Sequence, residues 1–153
     1  MIAVNGYHQT WEKRAAHNLR TQIPGIAAEF PEITAYHPAT INVRFESIII
    51  FAGYDHRTSP IQWEGGTEVF DFVRVLLSFP SLKQEVKALC YVAHNSRHRL
   101  DPHKHEFLAP QISGLSDRMP ITMKCDRPVR DLPYTASDTG DCGPRRARTI
   151  VFI

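Results

Sequence analysis

The chain contains few of the residues that mark a specialised class of protein. Only three cysteines occur among its 153 residues, and no two of them form a CxxC pair. This argues against a disulfide framework, a zinc ribbon or a dithiol redox site. Isolated thiols in a reducing compartment are the simplest interpretation.

Charge of one sign and long apolar runs are also scarce. The net charge is only +2, spread along the chain, so the electrostatic footprint of a protein that binds nucleic acid or an anionic membrane is missing. The longest apolar run, about residues 48–52, is far shorter than the roughly 20 residues of a membrane helix. The N-terminus lacks the basic-then-apolar layout of a signal peptide. We therefore expect a cytoplasmic protein that binds neither nucleic acid nor membrane.

The remaining composition is that of one globular domain, with 42% hydrophobic and 22% charged residues. Beyond Pro128 the composition changes to Asp, Arg, Gly, Pro and Thr. We predict one domain over residues 1–130 and a loosely held tail over residues 131–153. The apolar end of that tail, Thr149 to Ile153, could dock as a strand or remain loose.

Residues Thr10 to Gln22 predict an N-terminal helix. Trp11, Ala15 and Leu19 form one helical stripe, and Thr10 is a candidate N-cap. We expect the helix to end at Pro24 and Gly25, because proline cannot continue the hydrogen-bond ladder and glycine suits a turn. A short helical piece could follow at residues 26–30.

Strands dominate the rest of the chain. Ile41, Val43 and Phe45 alternate with polar residues between Thr40 and Glu46, which predicts a strand with one buried face. Residues 48–52 could extend it or form a separate strand. The segment 68–79 fits a helix or a strand, and its β-branched and aromatic content favours a strand. Further strands are predicted at residues 87–94, 105–109 and 121–126. With 11 prolines, these strands indicate a mainly β, compact barrel.

Two segments resemble the archaeal-type, CTP-dependent riboflavin kinases. His37–Val43, HPATINV, is similar to that family's PGTLNV signature. His105–Pro110, HEFLAP, with the residues through Met123 that follow it, is similar to the family's EIIAP…LGLKDGDEVEI ending. The resemblance implies a small six-stranded cradle-loop barrel, closed by swapped hairpins. Together with the predicted helix, this gives a riboflavin-kinase-like barrel with an N-terminal helix.

The resemblance also implies a site. In that family, the positions of Thr40 and Asn42 hold the Mg²⁺ that bridges the nucleotide phosphates. Residues two apart on a strand share a face, and their oxygens suit Mg²⁺. The position of Glu106 lies beside the ribityl chain of the flavin, where a carboxylate could accept the proton of the attacking hydroxyl or bind that hydroxyl. The alternative is that all three are polar residues on solvated strand faces.

The phosphate-binding part of the family pattern is altered. Gly6 matches the family's glycine-rich loop as a cofactor-binding candidate, but no second glycine follows it, and Ala39 replaces the glycine before Thr40. Compensating donors are available in a basic loop that contains Arg97, His98 and Arg99. We predict that this loop folds over the Thr40 face and binds an anion. The alternative is a solvated connection.

A second possibility for this region is a transition-metal site, since His94, His98, His103 and His105 occur close together.

Our first functional hypothesis is a diverged riboflavin-kinase-like protein with Mg²⁺-dependent phosphoryl transfer from a nucleotide to riboflavin or another small alcohol. The alternative is a non-catalytic module that binds a nucleotide, a flavin or another small anion. A third option is a partner-binding domain without a small-molecule site.

Overall fold

The structure is a computed structural model that describes residues 2–10, 14–51, 53–95, 101–126, 130–133 and 149–152. Within these ranges it contains one α-helix, two short 3₁₀ turns (Pro31–Ala35 and Pro80–Leu82) and twelve strands. The helix and strands, in chain order, are β1 Ile2–His8, α1 Arg14–Glu29, β2 Thr40–Phe45, β3 Ile48–Ile50, β4 His56–Arg57, β5 Ile61–Trp63, β6 Gly66–Glu68, β7 Phe70–Phe79, β8 Gln84–Ala93, β9 Lys104–Leu108, β10 Pro120–Cys125, β11 Arg130–Pro133 and β12 Thr149–Phe152. The helix in the described ranges is too short and too polar to cross a membrane.

Six of the strands close into an antiparallel barrel in the order β1–β2–β9–β8–β7–β10, and β10 pairs back with β1. Strands β7, β8 and β9 follow one another along the chain, and β10 returns to lie beside β7. This is the order of a Greek key. The predicted mainly β, six-stranded barrel with an N-terminal helix is confirmed.

Apolar side chains from all six strands fill the barrel interior. The predicted alternation in β2 is confirmed, because Ile41, Val43 and Phe45 are buried while the residues between them are partly exposed. Phe107 and Met123 meet them from β9 and β10 and are also fully buried. Their removal from water supplies the main stabilisation of the barrel.

Helix α1 packs on the outside of the barrel. Its residues Leu19 and Ile26 are buried with Phe70, Phe72 and Leu89 from β7 and β8. The start of β7 is therefore buried on both faces, with Phe70 and Phe72 under α1 and Val73 in the barrel core, and burial alternates along the rest of the strand. The strand prediction for this segment is confirmed, although the long strand begins at Phe70.

The predicted end of the helix at Pro24 and Gly25 is wrong, because α1 continues to Glu29. Pro24 has no N–H for the ladder, but continuing the helix buries Ile26 completely. Gly25 allows a close approach, since a Cβ there would lie 2.5 Å from Cγ2 of Ile61. The predicted start at residues 11–13 lies outside the described residues, and the Thr10 hydroxyl donates a hydrogen bond to Asp117 at 2.7 Å.

Residues 48–50 form a separate strand rather than an extension of β2. Strand β3 pairs in parallel with β12, and β12 pairs with β11 to complete a three-stranded sheet. The apolar C-terminal end could dock as a strand or remain loose, and in the structure it docks as strand β12. The division at residue 130 stays a prediction, and residues 134–148 lie outside the described ranges.

Candidate functional site

Strands β2 and β9 bring three of the sequence-predicted site residues together. Asn42 lies directly opposite Glu106 in the antiparallel ladder, and Thr40 is two residues before Asn42 on the same face. Directly opposite residues on one face have Cβ atoms about 4.5–5.5 Å apart. Because Ile41 and Val43 point into the core, Thr40 and Asn42 point outward. The functional roles of these three residues remain predictions.

The outward position of Asn42 is part of a longer line of polar residues across the barrel. On one side, the backbone N–H of Gln9 donates to the Asn42 carbonyl at 3.0 Å, which extends the β1–β2 register by one residue. On the other side, Glu106 lies opposite Tyr91 of β8. We call Gln9, Asn42, Glu106 and Tyr91 the polar row.

The hydrogen bonding of the polar row is uneven. The Tyr91 hydroxyl donates to Oε1 of Gln22 on α1 at 2.6 Å, and burial together with the Glu106 charge raises the Tyr91 pKa. In contrast, the buried Oε1 of Gln9 has no hydrogen-bond partner in the described part of the chain. The side chains of Thr40 and Asn42 are partly exposed.

A cavity of about 390 Å³ adjoins Glu106 and Tyr91. The pairing of β8 with β9 ends at these two residues. The next residues of each strand, which include Val92 and His105, line the cavity instead of pairing with each other. Its wall is mixed. It has apolar residues from β3, from Phe51 after it and from β7, and charged residues around them: Ile49, Ile50, Phe51, Val73, Arg57, Asp71, Asp101 and Lys104.

Ion pairs hold several rim charges in place. The Arg57 guanidinium donates two hydrogen bonds to Asp71, at 2.6 and 2.8 Å, and His94 lies 2.9 Å from the same carboxylate. Burial acts to raise the Asp71 pKa, but the hydrogen bonds from Arg57 and His94 leave it below its ordinary value. Arg44 pairs with Asp101 at 2.8 Å.

Lys104 brings a buried positive charge to the same face as Glu106. It is two residues before Glu106 on β9 and lies opposite Arg44 of β2. Burial lowers the Lys104 pKa, and the like charge of Arg44 acts in the same direction, whereas Asp101 and Glu106 oppose it. An anionic ligand at this face would relieve that unfavourable environment.

His105 lies between Lys104 and Glu106 on β9, so its side chain points to the opposite face of the strand. It lines the cavity from that face. Its ring lies 5.2 Å from the Phe51 ring and 5.9 Å from the Phe45 ring, measured between centroids. Burial lowers the pKa of His105 to about 4. The imidazole is therefore neutral at pH 7.

Gly6 lies inside strand β1, paired with Phe45 on one side and Ile121 on the other. A Cβ at this position would lie 2.5 Å from the Arg44 carbonyl oxygen, so close packing of β1 on β2 requires glycine. The predicted binding role of Gly6 stays a prediction. Arg97, His98 and Arg99 lie outside the described residues.

The donor types at the Thr40 face fit Mg²⁺, which prefers hydroxyl, amide and carboxylate oxygens. Thr40, Asn42 and Glu106 supply one of each, and the unpaired buried oxygen of Gln9 adds another. The transition-metal alternative stays a prediction, because His98 lies outside the described residues. Over the described ranges, no three His, Cys, Asp or Glu side chains form a group that could hold a metal.

Sequence reasoning missed Gln9, Gln22 and Tyr91 as members of this site. Gln22 is 4% exposed, and a polar residue on the buried side of a helix is a signal that a helical-wheel inspection could find. Gln9 carries no such signal, because its neighbours depend on the β1–β2 register.

Neither the models of known protein families nor the curated proteins compared with this chain give a match.

Proposed function

We propose that the outer face of β2 and β9 binds a nucleotide together with Mg²⁺ and transfers a phosphoryl group to the hydroxyl of a small alcohol. The observation that carries this proposal is the juxtaposition of Asn42 and Glu106, with Thr40 beside them. The resemblance to the CTP-dependent riboflavin kinases suggests CTP as the donor and riboflavin as the acceptor.

Each residue has a role in this proposal. Thr40 and Asn42 hold the cation through their side-chain oxygens, and Lys104 contributes positive charge toward the phosphates. A bound Mg²⁺ supplies charge neutralisation at the phosphate oxygens. The cavity beside Glu106 takes the body of the acceptor, since its wall combines apolar residues with polar groups at the rim.

Glu106 acts as the general base. Its carboxylate accepts the proton of the acceptor hydroxyl while that oxygen forms a bond to the γ-phosphorus. The bond between the γ-phosphorus and the β–γ bridging oxygen breaks, and the nucleoside diphosphate leaves with the electron pair. Positioning of the two reactants contributes most of the rate enhancement in reactions of this type.

A non-catalytic binding module is the second candidate. It is favoured by the environment of Gly6, which pairs within a strand instead of opening a glycine-rich phosphate loop. In that case the same face would bind a nucleotide, a flavin or another small anion without turnover. The two candidates share the binding site and differ in the chemistry of Glu106.

Binding is tested by thermal-shift measurements with CTP, ATP and riboflavin, each with and without Mg²⁺. We expect a nucleotide at about 100 times its Kd to stabilise the protein by about 2.7 kcal/mol only when Mg²⁺ is present. Asn42→Ala should remove this shift. Asn5→Ala is the matched control. Asn5 also lies on the outer face of the barrel, but its side-chain oxygen accepts a hydrogen bond from the Thr122 hydroxyl at 2.9 Å. Equal shifts in both variants would place the nucleotide elsewhere.

A turnover assay distinguishes the phosphoryl-transfer enzyme from the non-catalytic binding module. In a coupled assay for nucleoside diphosphate release, Glu106→Gln should lower kcat by about 100-fold or more while nucleotide binding persists. Glu85→Gln, which changes an exposed glutamate that pairs with Lys124, should leave kcat unchanged. A wild-type protein that binds nucleotide with Mg²⁺ but transfers no phosphate to any alcohol tested is the binding module.

A further inference from the structure

Among the described residues, two side chains have a buried polar atom without a hydrogen-bond partner, Gln9 and His56, and only Gln9 lies beside the candidate site. Its Oε1 is buried and has no hydrogen-bond partner among the described residues. Most buried polar atoms in native proteins are paired, because an unpaired one keeps its full desolvation cost. A buried carbonyl oxygen without a protein donor is therefore a candidate ligand for a bound group.

The strand register places Gln9 beside the residues of the proposed cation site. The β1–β2 pairs Tyr7–Arg44 and His8–Val43 lead to Gln9 opposite Asn42, which the 3.0 Å hydrogen bond between their backbones supports. Val4 points into the core, so alternation along β1 directs Gln9 outward, onto the face of Asn42. Gln9 and Glu106 thus flank Asn42 on its two sides.

The chemistry at this position favours a cation over an organic hydrogen-bond donor. The Thr40 hydroxyl, the Asn42 amide and the Gln9 amide all offer an oxygen, and the Gln9 oxygen is the one that is buried without a described partner. Mg²⁺ and Mn²⁺ bind such oxygens and complete their shells with water and phosphate. A bound cation would satisfy the Gln9 oxygen directly or through one coordinated water.

We infer that Gln9 is a third protein donor to a divalent cation at the Thr40–Asn42 site. This inference rests on the proposed function and names a residue outside the two positions that the family resemblance implies. Gln9 also links the cation to the end of β1, immediately before the segment that leads into α1. The role of Gln9 is to fix the cation against β2.

Paramagnetic broadening with Mn²⁺ tests this placement without any turnover. In the isotope-labelled full chain, substoichiometric Mn²⁺ should broaden the side-chain amide signals of both Gln9 and Asn42. The Asn5 amide, four residues along β1 from Gln9, should broaden much less. Broadening of Asn42 with a sharp Gln9 signal would overturn the inference and leave the proposed site standing. Broadening of neither signal would overturn both.

Two substitutions supply a second, independent readout. Gln9→Met keeps the length of the side chain and removes the unpaired oxygen, so the free protein should melt at a higher temperature. The same variant should bind Mn²⁺ about tenfold more weakly, the lower end of what supporting residues contribute at metal sites. Gln9→Glu, which keeps an oxygen, should restore the affinity. A lower melting temperature with unchanged Mn²⁺ affinity in Gln9→Met would make Gln9 a structural residue and refute the inference.

Discussion

The outer surface of the barrel differs sharply between β7–β8 and β2–β9. On β7 and β8, the outward residues Phe70, Phe72 and Leu89 are completely buried under α1. On β2 and β9, the outward residues Thr40, Asn42 and Glu106 are polar and only partly buried, and only Leu108 at the end of β9 joins the apolar cluster under α1. The same antiparallel ladder thus carries a second hydrophobic core on one side and a polar face on the other.

The difference shows where the fold requires apolar residues on its outer surface. The β7–β8 face must be apolar, because α1 covers it and excludes water. Most of the β2–β9 face is not covered in this way, so polar residues can lie there without the cost of burial. The link between the two faces is the hydrogen bond from Tyr91 to Gln22, where the apolar contact of α1 meets the polar row.

The largest effect should follow from opening a cavity in the helix-covered face. Phe72 is completely buried and its ring lies 5.1 Å from that of Phe30. Phe72→Ala should lower the free energy of unfolding by about 3–5 kcal/mol, measured by urea denaturation. Thr40→Ala, on the polar face, should change it by less than about 0.5 kcal/mol. A similar loss in both variants would abolish the distinction between the two faces.

A smaller effect should come from the inner side of β9 as the pH falls. The His105 pKa is about 4 in the folded protein against 6.5 ordinarily. The unfolded chain takes up this proton at the higher pH, so protonation of His105 costs no stability above pH 6.5 and lowers the free energy of unfolding by about 3 kcal/mol as the pH falls to 4. His105→Gln should flatten the unfolding free energy between pH 7 and pH 4. An unchanged slope in this variant would assign the pH dependence to other groups.

The smallest effect should come from the bond that joins the two faces. Tyr91→Phe leaves the buried Gln22 amide oxygen without its donor and should cost about 1–2 kcal/mol of unfolding free energy. Adding Gln22→Leu to Tyr91→Phe should lower the free energy of unfolding only slightly further, because the two side chains form one interaction. Fully additive losses in the double variant would show that the bond does not couple α1 to the polar row.

The sequence predicts the parts of this fold in which one face is buried and the other is solvated. Strands β2 and β10 follow from strict alternation. The β7 pattern is ambiguous because both faces are buried at the start of the strand. The predicted end of α1 is wrong because packing of Ile26 overrides the effect of Pro24. Strand β1 was missed, since its weak alternation gave no signal.

The candidate site was only partly predictable for a related reason. Thr40 and Asn42 are close in sequence, and their shared face follows from the period of a strand. Their position opposite Glu106, and that of Gln9 opposite Asn42, depends on which strands pair and in which register. That information is tertiary and no local pattern contains it.

Mapping of a bound nucleotide on the backbone amides is the most direct test of the polar face as the binding site. The labelled protein is titrated with CTP in the presence of Mg²⁺ and then with CTP alone. We predict the largest chemical-shift changes at Thr40, Asn42 and Glu106, only when Mg²⁺ is present, and small changes at Phe72 and Leu89. Changes centred on another part of the barrel, or the same changes without Mg²⁺, would contradict the account.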